Sequence, residues 1–119
     1  MTSAYLSLDQ GTTSTRAIVF DVSGRLICVS QKEFTQIFPR DGWVEHNLEE
    51  LWETCIGVIT DASDEARRQG YKVKAMGITN QRETTCIWDR GTGIPLYNAI
   101  VWQDRRTSKF CGELSLAGH

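Results

Sequence analysis

Residues Tyr5–Phe20 read YLSLDQGTTSTRAIVF, an apolar run that stops on Asp9, crosses small hydroxyl residues and turns straight back into a second apolar run. Tyr5, Leu6 and Leu8 precede the hydroxyl patch; Ala17–Phe20 and Leu26–Val29 follow it as short runs rich in β-formers. Such runs predict three strands. Between the last two lies DVSGR, whose Asp21, Ser23 and Gly24 suit a tight hairpin because they bond their own backbone or tolerate positive φ. The chain therefore opens as an antiparallel meander.

With 119 residues there is room for one modest core, so a single compact, soluble domain is expected. The 13 Lys and Arg are scattered, the longest basic runs being the pairs Arg67-Arg68 and Arg105-Arg106. A net charge of -2 adds to the case against a nucleic-acid footprint. No apolar stretch approaches the roughly 18 residues of a membrane span. Met1–Ala4 lacks the basic start and apolar core of a secretion signal, which points to the cytoplasm. Cys28, Cys55, Cys86 and Cys111 form no C-x-x-C pair and fall within apolar patterns, so buried reduced thiols are expected rather than disulfides or a zinc site.

Phe34–Glu45 loses periodicity, and Pro39, Asp41 and Gly42 mark a surface loop pinned by Trp43 and Val44. Asn47 then caps a helix, with Glu50 three residues on reaching back to the Asn47 amide as in a capping box. Leu48, Leu51, Trp52, Cys55, Val58, Ile59, Ala62 and Ala66 recur at spacings of three and four, one apolar helix face that stops at Gly70. Val73–Thr79 reads as a strand buried on both faces. Two more short strands flank the turn Asp89–Gly93, and Glu113–Ala117 begins a second helix. The order predicts an α/β fold, a mixed sheet with helix cover.

Chemistry concentrates in three stretches. A Gly-and-hydroxyl loop between strands lets backbone N–H groups approach an oxyanion, and Gly11, Thr12, Thr13 and Ser14 make such a loop. Asp9 stands at the strand end, where a carboxylate can hold Mg2+ against phosphate oxygens, and Arg16 can meet the phosphate charge. The plain alternative is a β-turn with solvated hydroxyls; neither the P-loop nor the dinucleotide fingerprint occurs. In GITNQRETTCIWD, Arg82 donates and Glu83 accepts, a pair suited to a small polyol or to a surface ion pair. In NAIVWQDRRT, Trp102 is either an apolar wall for such a ligand or part of the core.

Together LDQGTTSTRAIVFD, PRDGWVEHNLEELW, GITNQRETTCIWD and YNAIVWQDRRT resemble, in order and separation, the N-terminal part of the glycerol kinases in the FGGY carbohydrate kinase family. The resemblance covers most of the chain. It implies the first domain of an actin and hexokinase-type ATPase, of ribonuclease H-like topology. It also implies ATP-dependent phosphorylation of glycerol to sn-glycerol 3-phosphate with Mg2+. Residue by residue, it implies that Thr12, Thr13, Ser14 and Arg16 meet the nucleotide, with Thr12 also near the product. Asp9 then stands near the metal, and Arg82, Glu83 and Trp102 hold or wall the glycerol.

Glycerol kinases are several times longer than this chain. Their catalytic base, adenosine pocket and second phosphate loop are expected beyond His119, so residues 1–119 read as an incomplete first domain with no catalytic residue of its own. Alone it is expected to be inactive and to self-associate. The alternatives are a kinase for another polyol or ketose, which Asn80–Thr84 speaks against, and a truncated product that acts only by association.

Overall fold

The computed structural model describes residues 1–119. The meander forms as expected: β1 (Thr2–Gln10), β2 (Ser14–Asp21) and β3 (Leu26–Glu33) pair antiparallel in sequence order. At the β2–β3 turn, Asp21 Oδ1 accepts from the Ser23 amide, the Ser23 hydroxyl and the Arg25 amide, and Gly24 takes φ +86°. Local chemistry alone closes this hairpin.

The loop that follows contains a strand the sequence did not announce, β4 (Glu45–His46). Next comes α1 (Leu48–Arg68), with the Glu50 amide donating to Asn47 Oδ1 at 3.0 Å. The reciprocal half of the expected capping box is absent. Glu50 Oε1 instead accepts from the Thr35 amide at 2.8 Å and the Thr35 hydroxyl at 3.0 Å, tying the loop to the first helical turn. Glu49 and Glu50 near the start and Arg67 and Arg68 in the last turn suit the helix dipole. Gly70, at φ +88°, ends the helix where expected.

The core lies between α1 and one face of the sheet: Ala4, Leu6, Leu8, Ala17, Val19 and Cys28 pack against Val58, Ala62 and Ala66. Burying each large aliphatic side chain there contributes about 1.5–3 kcal/mol. Trp52 departs from the expected apolar face and is 66% exposed; the buried positions in that turn are Leu51 and Thr54. Thr54 donates to the Leu51 carbonyl and meets the Thr15 hydroxyl at 2.8 Å, so a polar residue satisfies its bonds inside the core.

After α1 the chain returns as β5 (Tyr71–Asn80), parallel to β1, giving the sheet order β3-β2-β1-β5. The expected strand is present, but it is not buried on both faces. It forms the sheet edge, and Met76 and Ile78 are exposed. Of the two strands expected around Asp89–Gly93, only β6 (Ala99–Ile100) forms, paired with β4; Trp88 and Pro95 make an isolated bridge. The last helix, α2 (Ser108–Leu116), starts earlier than expected and buries none of its residues.

Compactness is also corrected. The radius of gyration is 18.3 Å, against about 13.5 Å for a compact domain of this length. The accessible surface is 8120 Å², where a folded monomer of this mass exposes roughly 6,500 Å². No helix is long and apolar enough to cross a membrane. All four cysteines are free; Cys28 is buried and Cys55 half-buried, but Cys86 and Cys111 are exposed, because the segments carrying them lie outside the core.

Candidate functional site

At the C-terminal ends of β1 and β5, Thr12, Asn80, Gln81, Arg82, Glu83 and Trp102 line one cleft of about 470 Å³. Four of the residues singled out in sequence therefore meet, from three separate elements. Gln81 follows β5 directly and its amide donates to the Gln10 carbonyl, so the parallel pairing of β1 and β5 fixes how Arg82 and Glu83 stand beside the β1–β2 loop. Glu83 sits at φ +57°, the only non-glycine residue with positive φ. Such a conformation costs about 1–2 kcal/mol, and it turns the chain sharply at the cleft.

Trp102 arrives by another route. Thr85 and Ile100 exchange both backbone bonds at 2.9 Å, and the Val101 amide donates to the Val44 carbonyl at 3.0 Å. Val101 is buried. The neighbouring indole faces the cleft, and its Nε1–H donates to Thr12 Oγ1 at 3.0 Å.

The β1–β2 loop is tight. Gly11 N–H donates to the Ser14 carbonyl at 2.9 Å, leaving Thr12 and Thr13 as its tip. A Cβ at Gly11 would stand 3.0 Å from that carbonyl, which explains a residue without one. Ser14 Oγ accepts from Gln31 Nε2 at 2.8 Å, and Arg16 Nη2 donates to Gln31 Oε1 at 3.2 Å. Gln31 thus bridges two expected site residues. Asp9 stands opposite Arg16 in register, exposed, as the penultimate residue of β1 before the loop. Asp9, Thr13, Ser14 and Arg16 do not line the cleft.

Two networks behind the cleft escaped sequence reasoning. In the first, Arg106 donates to Glu45 Oε2 at 2.7 Å and to both Asp104 oxygens, while Val44 N–H donates to Asp104 Oδ2. Tyr97 and Asn98 complete the shell of Glu45. The Arg106 guanidinium also stacks 3.8 Å from the Trp43 ring centroid. The Arg106 bonds hold the Asp104 carboxyl down at about 2 despite burial. Burial pushes Glu45 up, but the bonds from Arg106, Asn98 and Tyr97 outweigh it and leave its carboxyl below the usual range. These charges fasten the 42–46 segment to the turn carrying Trp102. In the second network, the buried ring of His46 contacts the side chains of both Gln36 and Gln81. Burial drives its pKa below the ordinary histidine value, against an opposing pull from Glu50. The sequence signal for both was an acid and an imidazole set side by side between Val44 and a helix cap.

Residues 4–119 match the N-terminal domain of the FGGY family of carbohydrate kinases. The chain belongs to that family. It is 60% identical over 114 residues to a glycerol kinase of Koribacter versatilis, covering 96% of this chain and 23% of that protein. It is 57% identical over 119 residues to a glycerol kinase of Chromobacterium violaceum, covering 99% and 24%. The chain thus spans about a quarter of the length of these relatives. Among solved structures it superposes on Plasmodium falciparum glycerol kinase with ADP at a TM-score of 0.89 and 36% identity, covering 99% of this chain and 24% of that one. It matches the fold of xylulose kinase from Rhodospirillum rubrum at 0.87. The architecture is that of the actin and hexokinase-type ATPases, as expected; this FGGY segment supplies part of their first domain.

Proposed function

We propose that this FGGY segment forms the phosphate loop and one wall of the glycerol pocket in an ATP-dependent glycerol kinase producing sn-glycerol 3-phosphate. The observation that carries the reading is the single cleft in which Thr12, Arg82, Glu83 and Trp102 converge. Glycerol presents neighbouring hydroxyls that donate and accept. Glu83 accepts from them, Arg82 donates to them, and the indole covers the C–H side. The Thr12 hydroxyl and the loop amides lie beside this pocket and meet the transferring phosphoryl group. In the reaction the glycerol oxygen bonds to the γ-phosphorus as the bond to the β–γ bridging oxygen breaks, and the hydroxyl proton passes to a base contributed by another part of the kinase.

Asp9 suits Mg2+. Its carboxylate is exposed beside the loop, and no group of three or more ligating side chains exists to form an all-protein cage. Magnesium characteristically takes one or two carboxylates and fills its remaining positions with phosphate oxygens and water. When bound, it would neutralise phosphate charge. Thr13, Ser14 and Arg16 serve the nucleotide side, with Gln31 holding the last two in register. The reading places the enzyme in the cytoplasm, where ATP is available.

The test is ADP production by a full-length kinase carrying these 119 residues, assayed with glycerol and with xylulose as acceptors. Glycerol is expected to support turnover far better. Equal or greater turnover with xylulose moves the assignment to a ketose kinase, and turnover with neither overturns it.

A further inference from the structure

His46 has no solvent exposure, and its ring contacts Gln81, which lines the cleft, on one side and Gln36 on the other. Its Nε2 meets Gln36 Oε1 at 2.8 Å, and its Nδ1 meets Gln81 Nε2 at 3.2 Å. An amide oxygen only accepts and an amide nitrogen only donates, so the ring must be neutral with its proton on Nε2. From there two arms reach the loop. On one, Gln36 Nε2 donates to the Thr12 carbonyl at 3.1 Å. On the other, Gln81 Nε2 donates to Gln10 Oε1 at 3.1 Å, and Gln10 Nε2 donates to the Gly11 carbonyl at 2.9 Å. Because Gln10 Nε2 is committed to that carbonyl, Gln10 presents its oxygen to Gln81, and only the Gln81 nitrogen can face it; Thr84 Oγ1 donates to the remaining Gln81 oxygen at 3.1 Å.

The two carbonyls so held are consecutive, and the chain has no cis peptide. In a trans peptide the C=O and the following N–H point in opposite directions. Holding the Gly11 and Thr12 carbonyls inward therefore aims the N–H groups of Thr12 and Thr13 outward. Neither N–H donates to a backbone carbonyl.

We propose that His46 is a positioning residue: through Gln36 and Gln81 it aims the Thr12 and Thr13 amides at the phosphate of a bound nucleotide, and ties that aim to the segment carrying Arg82 and Glu83. The inference rests on the kinase reading for the identity of the anion, but the relay itself is a property of the 119 residues. His46 touches neither substrate and acts through the loop. Its immediate surroundings are the amides of Gln36 and Gln81 and the Phe34 ring, packed edge-to-face with it, and Glu50 on α1 is the charge that acts on it.

Two measurements test it. In the 119-residue chain labelled with 15N in histidine, long-range nitrogen–proton spectra at near-neutral pH are expected to show His46 as the neutral Nε2–H tautomer with a slowly exchanging ring proton. A Nδ1–H tautomer or an imidazolium overturns the relay. In a full-length kinase carrying the segment, His46→Leu is expected to raise the KM for ATP by about tenfold, the scale of one or two lost hydrogen bonds. The KM for glycerol should stay within about twofold, because Arg82 and Glu83 remain. His46→Gln, which keeps a donor and an acceptor, should recover most of the loss, and Gln36→Leu should reproduce it by cutting the last link to Thr12. An ATP KM unchanged in both leucine variants overturns the proposal. If the parent shows no glycerol-dependent ADP production, the functional reading fails and the tautomer decides the relay.

Discussion

The indole N–H of Trp102 donates to the Thr12 hydroxyl over 3.0 Å, so the residue that walls the proposed polyol pocket also orients a side chain of the proposed phosphate loop. The two would then act together. Thr12→Val deletes the hydroxyl at nearly constant volume, and Trp102→Phe keeps an aromatic wall while removing the donor. In a full-length kinase carrying the segment, each is expected to lower turnover with the fold intact. The double variant should lose less than the product of the two, with a coupling of about 1 kcal/mol. Independent, multiplying effects would separate the wall from the loop, and parental turnover in Thr12→Val would make the loop an ordinary turn.

Glu83 tests the pocket itself. Glu83→Gln preserves shape, including the backbone turn at φ +57°, but exchanges an anionic acceptor for an amide. A charge-assisted hydrogen bond contributes about 1.5–3 kcal/mol, so the KM for glycerol should rise by about tenfold or more while the KM for ATP holds. An unchanged glycerol KM removes Glu83 from the site.

The turns and the helix cap were legible because their chemistry is local: Asp21 bonds amides two and four residues on, and Asn47 bonds one three residues on. The loop, the Arg82–Glu83 pair and Trp102 were legible by residue type. His46, Gln36, Gln81, Glu45, Asp104 and Arg106 were not, since their partners lie up to 71 residues away and an isolated polar residue carries no periodicity. Met76 and Ile78 misled for the opposite reason. An apolar run reads the same in a central strand as in an edge strand, and only the neighbouring chain decides which it is.

Acid should destabilise the fold in two stages. His46 has a folded pKa below its ordinary 6.5, so its neutral form gives full stability above that pH. As pH falls below 6.5 the unfolded chain takes up a proton first, and stability declines. Asp104, held near 2 against an ordinary 3.8, and Glu45, also lowered, contribute stability above their unfolded values. That contribution begins to fall as pH drops into the ordinary carboxylate range and, for Asp104, is lost as pH falls on to about 2. Urea midpoints measured across pH should show both declines, and His46→Gln should remove the first. A midpoint as steep between neutrality and mild acid in His46→Gln as in the parent would clear His46 of the effect.

The 119 residues on their own are expected to lack glycerol kinase activity and to associate. Phosphoryl transfer needs nucleophile, phosphoryl group and base positioned together, and the cleft here is walled only by the elements around Thr12, Glu83 and Trp102. The surface argues for association: β5 leaves one edge without a partner strand, with Met76 and Ile78 exposed along it, and α2 buries nothing. An unpaired edge of that length, carrying apolar side chains, is a template for a second strand. A second copy can pair there and cover both features. Light scattering across a dilution series should therefore show dimers or larger species that dissociate on dilution. Ile78→Lys, which places a charge on the edge, should shift the population toward the monomer. A coupled assay should show no glycerol 3-phosphate above a mock-purified control. A chain that stays at 13.4 kDa at high concentration sinks the association, and turnover above that control sinks the claim of inactivity.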